Sequence, residues 1–126
     1  MLKFYKCPHC GNIVTLLSEE KGKLVCCGEK MKELIPGTVD AAKEKHIPEV
    51  EVEGSLVKVT VGEVIHPMIE VHYITFILIE TTKGHQIKYL QPNEKPYAEF
   101  VLAEGEELVA AYEYCNLHGL WKKEVR

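Results

Sequence analysis

The sequence has no excess of basic charge. Fifteen Lys and Arg stand against 19 Asp and Glu, leaving a formal net charge of −4, so no broad basic face is available to nucleic acid or anionic lipid. Any anionic substrate must be attracted locally. Also missing is a run approaching the ~18 consecutive apolar residues that a membrane helix needs. The first residues, Met1 to Cys10, hold no apolar stretch of signal-peptide length and no small-residue cleavage site, so the expected location is the cytoplasm. An even, disulfide-ready set of cysteines is absent too, for there are five, and Cys26 and Cys27 are neighbours. In a reducing compartment clustered thiols point to metal ligation or catalysis. What is present is ordinary globular material, 126 residues with 46% hydrophobic and 27% charged, enough for one domain or one domain with a small appendage. The five cysteines and six histidines are the informative part.

Punctuation divides the chain in two. Residues 1–36 hold four of the five cysteines, carry only short apolar runs (Ile13 to Leu17, Lys23 to Val25) and close at Pro36-Gly37. So small a segment needs a staple to fold, and the reading is a metal-stapled hairpin domain. Residues 37–48 form a linker in which Asp40 can cap one helical turn before Pro48 stops it. From residue 49 to 126 the pattern has period two. Val57, Val59 and Val61 alternate with Lys58 and Thr60, and further strands are expected over Val71 to Ile79, Gln86 to Leu90, Tyr97 to Leu102 and Leu108 to Tyr114. Gly54, Gly84, Pro92, Pro96 and Gly105 fall between them as turn signals. Six or seven short strands at this spacing predict an immunoglobulin-like antiparallel β-sandwich, and an all-β chain overall.

Two clusters carry chemistry. In the first, Cys7-Pro8-His9-Cys10-Gly11 is a knuckle whose two thiolates can chelate one ion while Gly11 tightens the turn. The partner half, Cys26-Cys27, has no spacer, which departs from a zinc ribbon and predicts a distorted tetrahedron. Four thiolates suit zinc or a mononuclear iron equally. His9 is expected to be a surface residue.

The second cluster begins with Cys115-Asn116-Leu117-His118-Gly119. Alone, a cysteine and a histidine three residues apart read as a packed thiol and an ordinary imidazole. The supply of further imidazoles, His46, His66 and His72, changes that reading. On one straight strand His66 and His72 would lie about 20 Å apart. Pro67 cannot sit inside a central strand, so the chain can turn and bring both rings together. Blue copper is the nearest alternative, but no methionine follows His118 to serve as its axial ligand. Catalytic zinc normally takes three protein ligands. Four imidazoles and one thiolate would leave one open position on an octahedral ion.

Three segments, Asp40 to His46, His66 to Ile74 and Cys115 to Trp121, together with the N-terminal cysteines, resemble the desulfoferrodoxin family of two-iron superoxide reductases across essentially the whole chain. The N-terminal part resembles its desulforedoxin-like domain. The resemblance implies that Cys7, Cys10, Cys26 and Cys27 bind one iron. It implies that His46, His66, His72 and His118 are equatorial ligands of a second, catalytic iron with Cys115 axial. Glu44 and Lys45 match a Glu-Lys pair over the open position, the lysine attracting superoxide and the carboxylate able to occupy the ferric site. Outside the resemblance they are part of a charged, solvated run. It further implies superoxide as substrate, hydrogen peroxide as product, a rubredoxin-type electron donor and a homodimer. His85 matches no ligand, and Trp121 and Tyr73 are expected to be packing groups. An iron electron carrier without superoxide chemistry and a structural zinc module are the alternatives.

Overall fold

The computed structural model describes residues 2–38, 43–62 and 65–126, without the Glu44 side chain. The expected cap Asp40 lies outside the described residues. The chain separates into two compact units, Met1–Ile35 and Pro36–Arg126, and almost all of its regular structure is antiparallel strand. Among the described residues no helix is long and apolar enough to cross a membrane.

In the first unit β1 (Phe4–Lys6) is the centre of a three-stranded sheet, flanked by β2 (Ile13–Thr15) and β5 (Lys32–Leu34). Between these runs a two-stranded ribbon, β3 (Val25–Cys26) with β4 (Glu29–Lys30). The core is thin: Phe4, Cys7 and Met31 are its buried apolar side chains, while Leu17 and Val25 are exposed. Three such side chains contribute only about 1.5–3 kcal/mol each, well short of the ordering entropy of 35 residues. The thiol cluster is therefore where this unit must find its stability.

The second unit opens with a single helical turn, α1 (Lys43–His46), and continues as a sandwich. One sheet has the order β10-β7-β6, from Tyr97–Val101, Leu56–Val61 and Pro48–Glu53. The other has the order β12-β11-β8-β9, from Gly119–Glu124, Leu108–Cys115, Ile74–Thr81 and Gly84–Tyr89. The alternation read from Val57, Val59 and Val61 is the inward face of β7, where all three are fully buried. They meet Ala98 and Phe100 of their own sheet and Ile74, Ile77, Ile79 and Ala111 of the facing one in a single core that also takes in Cys115.

Most expected strands shift by one to three residues at an end, and two differences from expectation have a physical reason. β8 starts at Ile74, not at Val71. Ile69 and His72 exchange both backbone hydrogen bonds at 3.0 Å, and that closes a tight turn over residues whose β-branched and aromatic composition reads as strand. β12 was not foreseen, because only Leu120 and Trp121 of it are buried and two apolar neighbours leave no alternation to see.

Candidate metal centres

The four N-terminal thiols converge from two turns. Around the first knuckle Cys7 N–H donates to the Asn12 carbonyl at 2.9 Å and Gly11 N–H to the Cys7 carbonyl at 3.1 Å. The amides of His9 and Cys10 both point at Cys7 Sγ, each at 3.4 Å, and the Cys10 amide leads in holding the Cys7 thiol down at about 6. The second half explains its missing spacer. Cys26 and Glu29 are paired across the β3–β4 ribbon, so Cys27 and Gly28 are the two central residues of a hairpin turn. Their φ values of 53° and 76° are both positive, the signature of a type I′ turn. That turn swings two adjacent cysteines toward one point where an extended dipeptide would splay them apart.

The resulting thiol atoms all lie within 4.8 Å of one another, with Cys10 to Cys26 at 3.6 Å and Cys26 to Cys27 at 3.9 Å. A tetrahedron of sulfurs at the usual ~2.3 Å from a metal has edges of ~3.8 Å, so the residues fit the ion. Shared protons raise the adjacent pair, Cys26 to about 12 through its contact with Cys10 and Cys27 likewise upward. All four ionise together only when a cation sits among them. His9 is exposed as expected, yet its Nε2 lies 2.8 Å from Glu29 Oε1, joining the two halves of the cluster.

The second cluster assembles four imidazoles and the fifth cysteine from three places. His46 ends α1. His66 and His72 come from the β7–β8 connection, where Pro67 and the Ile69–His72 turn fold the chain back. Met68 anchors this connection, its sulfur accepting the Ile74 N–H at 3.3 Å and its carbonyl the Asn93 N–H at 2.7 Å. Cys115 and His118 belong to the β11–β12 hairpin, whose three-residue loop returns through Gly119 at φ 79°, a conformation that favours glycine.

The ring centroids lie almost at the corners of a square. Consecutive separations are 4.6 Å (His46–His66), 4.7 Å (His66–His72), 5.0 Å (His72–His118) and 4.9 Å (His118–His46), while the His46–His72 diagonal is 6.5 Å. Neighbouring rings stand at 63° to 81° to each other. Ligating atoms of His46, His66, His72 and Cys115 all fall within 4.8 Å of one another. His118 stands beside that group, with Nδ1 3.9 Å from Cys115 Sγ.

Burial has chosen the protonation states. His46 and His66 are almost wholly buried, and desolvation, followed by repulsion from neighbouring rings, pushes both down to about 4. His72 is lowered for the same first reason. Neutral imidazole is the metal-binding form. His66 Nδ1 lies 2.6 Å from the Pro67 carbonyl, which can only accept, so Nδ1 carries the proton and Nε2 is the free donor atom. That Nε2, His72 Nε2 and His46 Nδ1 are buried without a hydrogen-bond partner. Each such orphan costs ~1–3 kcal/mol, and a cation within the square satisfies those that face it.

Two further residues press on the imidazoles. Trp121 stacks on His46, with centroids 5.0 Å apart and planes at 14°, and its Nε1–H donates to the His118 carbonyl at 3.0 Å. Glu113 is fully buried on β11 with Oε2 3.7 Å from His46 Nδ1. Burial raises the Glu113 carboxyl well above its usual range while it lowers His46, and both shifts disfavour an ion pair between them. The sequence reading had missed Glu113, although a lone charge in the otherwise apolar strand Leu108–Cys115 was its signal. Lys45 is exposed on the turn that ends in His46, and the Glu44 side chain lies outside the described residues.

A four-thiol staple followed by a four-imidazole, one-thiol pocket in an antiparallel sandwich decides the kinship, and whole-chain comparison agrees. The desulfoferrodoxin family profile matches residues 38–124 and its N-terminal-domain profile residues 1–34. The chain belongs to the desulfoferrodoxin family. It is 50% identical over 122 residues to the desulfoferrodoxin of Nitratidesulfovibrio vulgaris Hildenborough, covering 97% of this chain and 95% of that one. The superoxide reductase of Treponema pallidum superposes with a TM-score of 0.82 at 40% identity, covering 98% of this chain and 99% of that one. A one-iron superoxide reductase from Giardia intestinalis covers 67% of this chain and 99% of its own, at 33% identity and a TM-score of 0.57.

Proposed function

We propose that this desulfoferrodoxin is a superoxide reductase with two mononuclear irons, one held by Cys7, Cys10, Cys26 and Cys27 and the catalytic one by His46, His66, His72, His118 and Cys115. The observation that carries the reading is the square of imidazoles, three of them with a buried, unpartnered nitrogen, beside a single buried thiol. Bound iron supplies the one electron that, with two protons, turns superoxide into hydrogen peroxide.

The chain's own residues prepare that chemistry. Burial raises the Cys115 thiol, and the Leu117 and His118 amides act the other way by favouring the thiolate. Those amides fix the negative charge on sulfur, the group whose electron donation tunes an iron ligated by cysteine. Trp121 covers one face of His46, closing that side to water. His72 and His118 are only half-buried, so the approach for a small anion lies on their side. Lys45, solvent-exposed one residue before His46, supplies a local positive field against the chain's overall negative charge. Glu44 is assigned the neighbouring role of occupying the open position when no substrate is there. Water reaching the exposed edge supplies the protons.

Because the reaction consumes an electron and releases no dioxygen, an external reductant must act after each turnover, and a rubredoxin-type iron protein in the cytoplasm suits that part. A homodimer is the proposed assembly, supported by the thin core of the first unit and its exposed Leu17 and Val25. The division of labour proposed is residues 1–36 as the first-iron domain, 37–48 as the segment bearing Glu44, Lys45 and His46, and 49–126 as the catalytic sandwich. Metal analysis, the visible spectrum and the peroxide formed per superoxide consumed test the reading together. Two irons, a coloured protein and one peroxide per superoxide are expected; two zincs and no iron, or half a peroxide per superoxide, would overturn it.

A further inference from the structure

We propose that Asn116 is a positioning residue that fixes His72 against Cys115, by using its side-chain amide to carry the β8–β11 ladder past the point where the backbone ladder stops. The backbone register between these strands runs to Cys115 opposite Ile74, with an irregularity at Tyr114/Cys115. One rung further, Asn116 N–H donates to the Tyr73 carbonyl at 3.2 Å. The Asn116 side chain then does what a second backbone peptide would do. Its Oδ1 accepts the Tyr73 N–H at 2.9 Å and its Nδ2 donates to the Val71 carbonyl at 3.1 Å.

Those contacts bracket one ligand. Val71 and Tyr73 are the residues on either side of His72, and the N–H and carbonyl of His72 itself are taken by Ile69 at 3.0 Å each. With Asn116 in place, every backbone polar group from the Val71 carbonyl to the Tyr73 carbonyl has a partner, three of the five bonds coming from one residue on the Cys115 loop. His46 and His66 do not need such a clasp, since they are held by burial. His72 is half-buried, so packing restrains it less and hydrogen bonds must supply its orientation. Only an Asn fits both ends. Asp keeps the acceptor for Tyr73 but sets a second oxygen against the Val71 carbonyl, and Ala removes both contacts.

The inference rests on the proposed assignment of His72 and Cys115 to one iron. In the iron-loaded full chain, Asn116→Ala and Asn116→Asp are compared with the unaltered protein for iron lost to a chelator and for the thiolate-to-iron absorption of the second centre. Far-ultraviolet circular dichroism of the sandwich serves as the control of folding, and the first centre's absorption as a control of iron loading elsewhere in the chain. Loss of a group that orients a ligand typically weakens metal binding ~10–100-fold. Both variants should lose second-centre iron faster by that order and show a shifted or broadened thiolate band, with the first centre unchanged. If Asn116→Ala does not fold, the isosteric Asn116→Asp decides alone. Unaltered iron retention and an unaltered band in the folded variants would overturn the role of Asn116. Absence of second-centre iron from the unaltered protein would instead overturn the ligand assignment.

Discussion

Acid should destabilise the metal-free second unit before any surface carboxylate matters, and the two buried histidines set the window. His46 and His66 are held at about 4 in the folded chain against an ordinary 6.5. A base whose folded pKa is depressed leaves stability intact above 6.5, where both states are neutral. Below 6.5 the unfolded chain binds protons that the folded chain refuses, and stability falls until about pH 4. At about 1.4 kcal/mol per pH unit for each ring, each contributes on the order of 3 kcal/mol. The pair together gives less than twice that, because part of the His46 shift comes from the His66 ring. Glu113 works in the opposite direction. Its folded carboxyl is raised, so the folded state is the one holding the proton, and lowering the pH relieves its penalty. The measurement is urea unfolding of metal-free protein followed by Trp121, the single tryptophan, at pH 7.5, 6, 5 and 4.5. A midpoint falling steadily from pH 6.5 downward at constant slope is expected, steeper in Glu113→Gln and flattened in His66→Asn. A midpoint flat across that range, or a fall unaltered in His66→Asn, would refute the burial argument.

Replacing Cys115 by Ser should abolish the second centre's thiolate absorption and leave the first centre's, and loss of both together would mean that the two sites are not independent. Lys45→Ala should slow superoxide capture at low ionic strength and flatten its salt dependence, since the lysine acts through a screened field; stopped-flow rates at two salt concentrations check this. Phe100→Ala opens a cavity in the sandwich core, where Phe100 is 1% exposed, and should lower unfolding stability by ~3–5 kcal/mol without moving either absorption band.

Both ligand clusters were legible because cysteine and histidine are few and their spacing is chemically restrictive. The alternation in Leu56–Val61 was legible because one face of β7 is fully buried and the other is not. What was not legible is set by partners distant in sequence. Glu113 lies between Tyr112 and Tyr114, and the His46 ring that its carboxyl faces at 3.7 Å lies 67 residues upstream. Asn116 sits in the middle of a recognised motif, but its partners lie 43 and 45 residues away. The adjacent Cys26-Cys27 pair was read as a source of distortion, and no rule of ligand spacing revealed that Cys27-Gly28 is a hairpin turn. In each case residue type showed that something mattered, and tertiary pairing showed what.

The division of five cysteines into four and one also decides which centre an anion can meet. A ferrous ion among four thiolates is left with two negative charges in excess, and a ferric ion with one, so the first centre repels superoxide in either state. With one thiolate and four neutral imidazoles the same ion keeps one positive charge when ferrous and two when ferric. The depressed histidine pKa values matter here, because an imidazole that titrated near neutrality would lose its metal to a proton as the pH fell. The chain as a whole is negative, and its longer-range field is screened beyond ~8–10 Å. On the proposed assignment, the attraction for superoxide comes from the charge left on the second iron and from the exposed Lys45 one residue before His46. On this argument the fifth cysteine could not be joined by a second without cancelling the positive charge that brings the substrate in, and a second thiolate introduced at His118 should bind iron yet lose most of the salt-sensitive part of the superoxide rate.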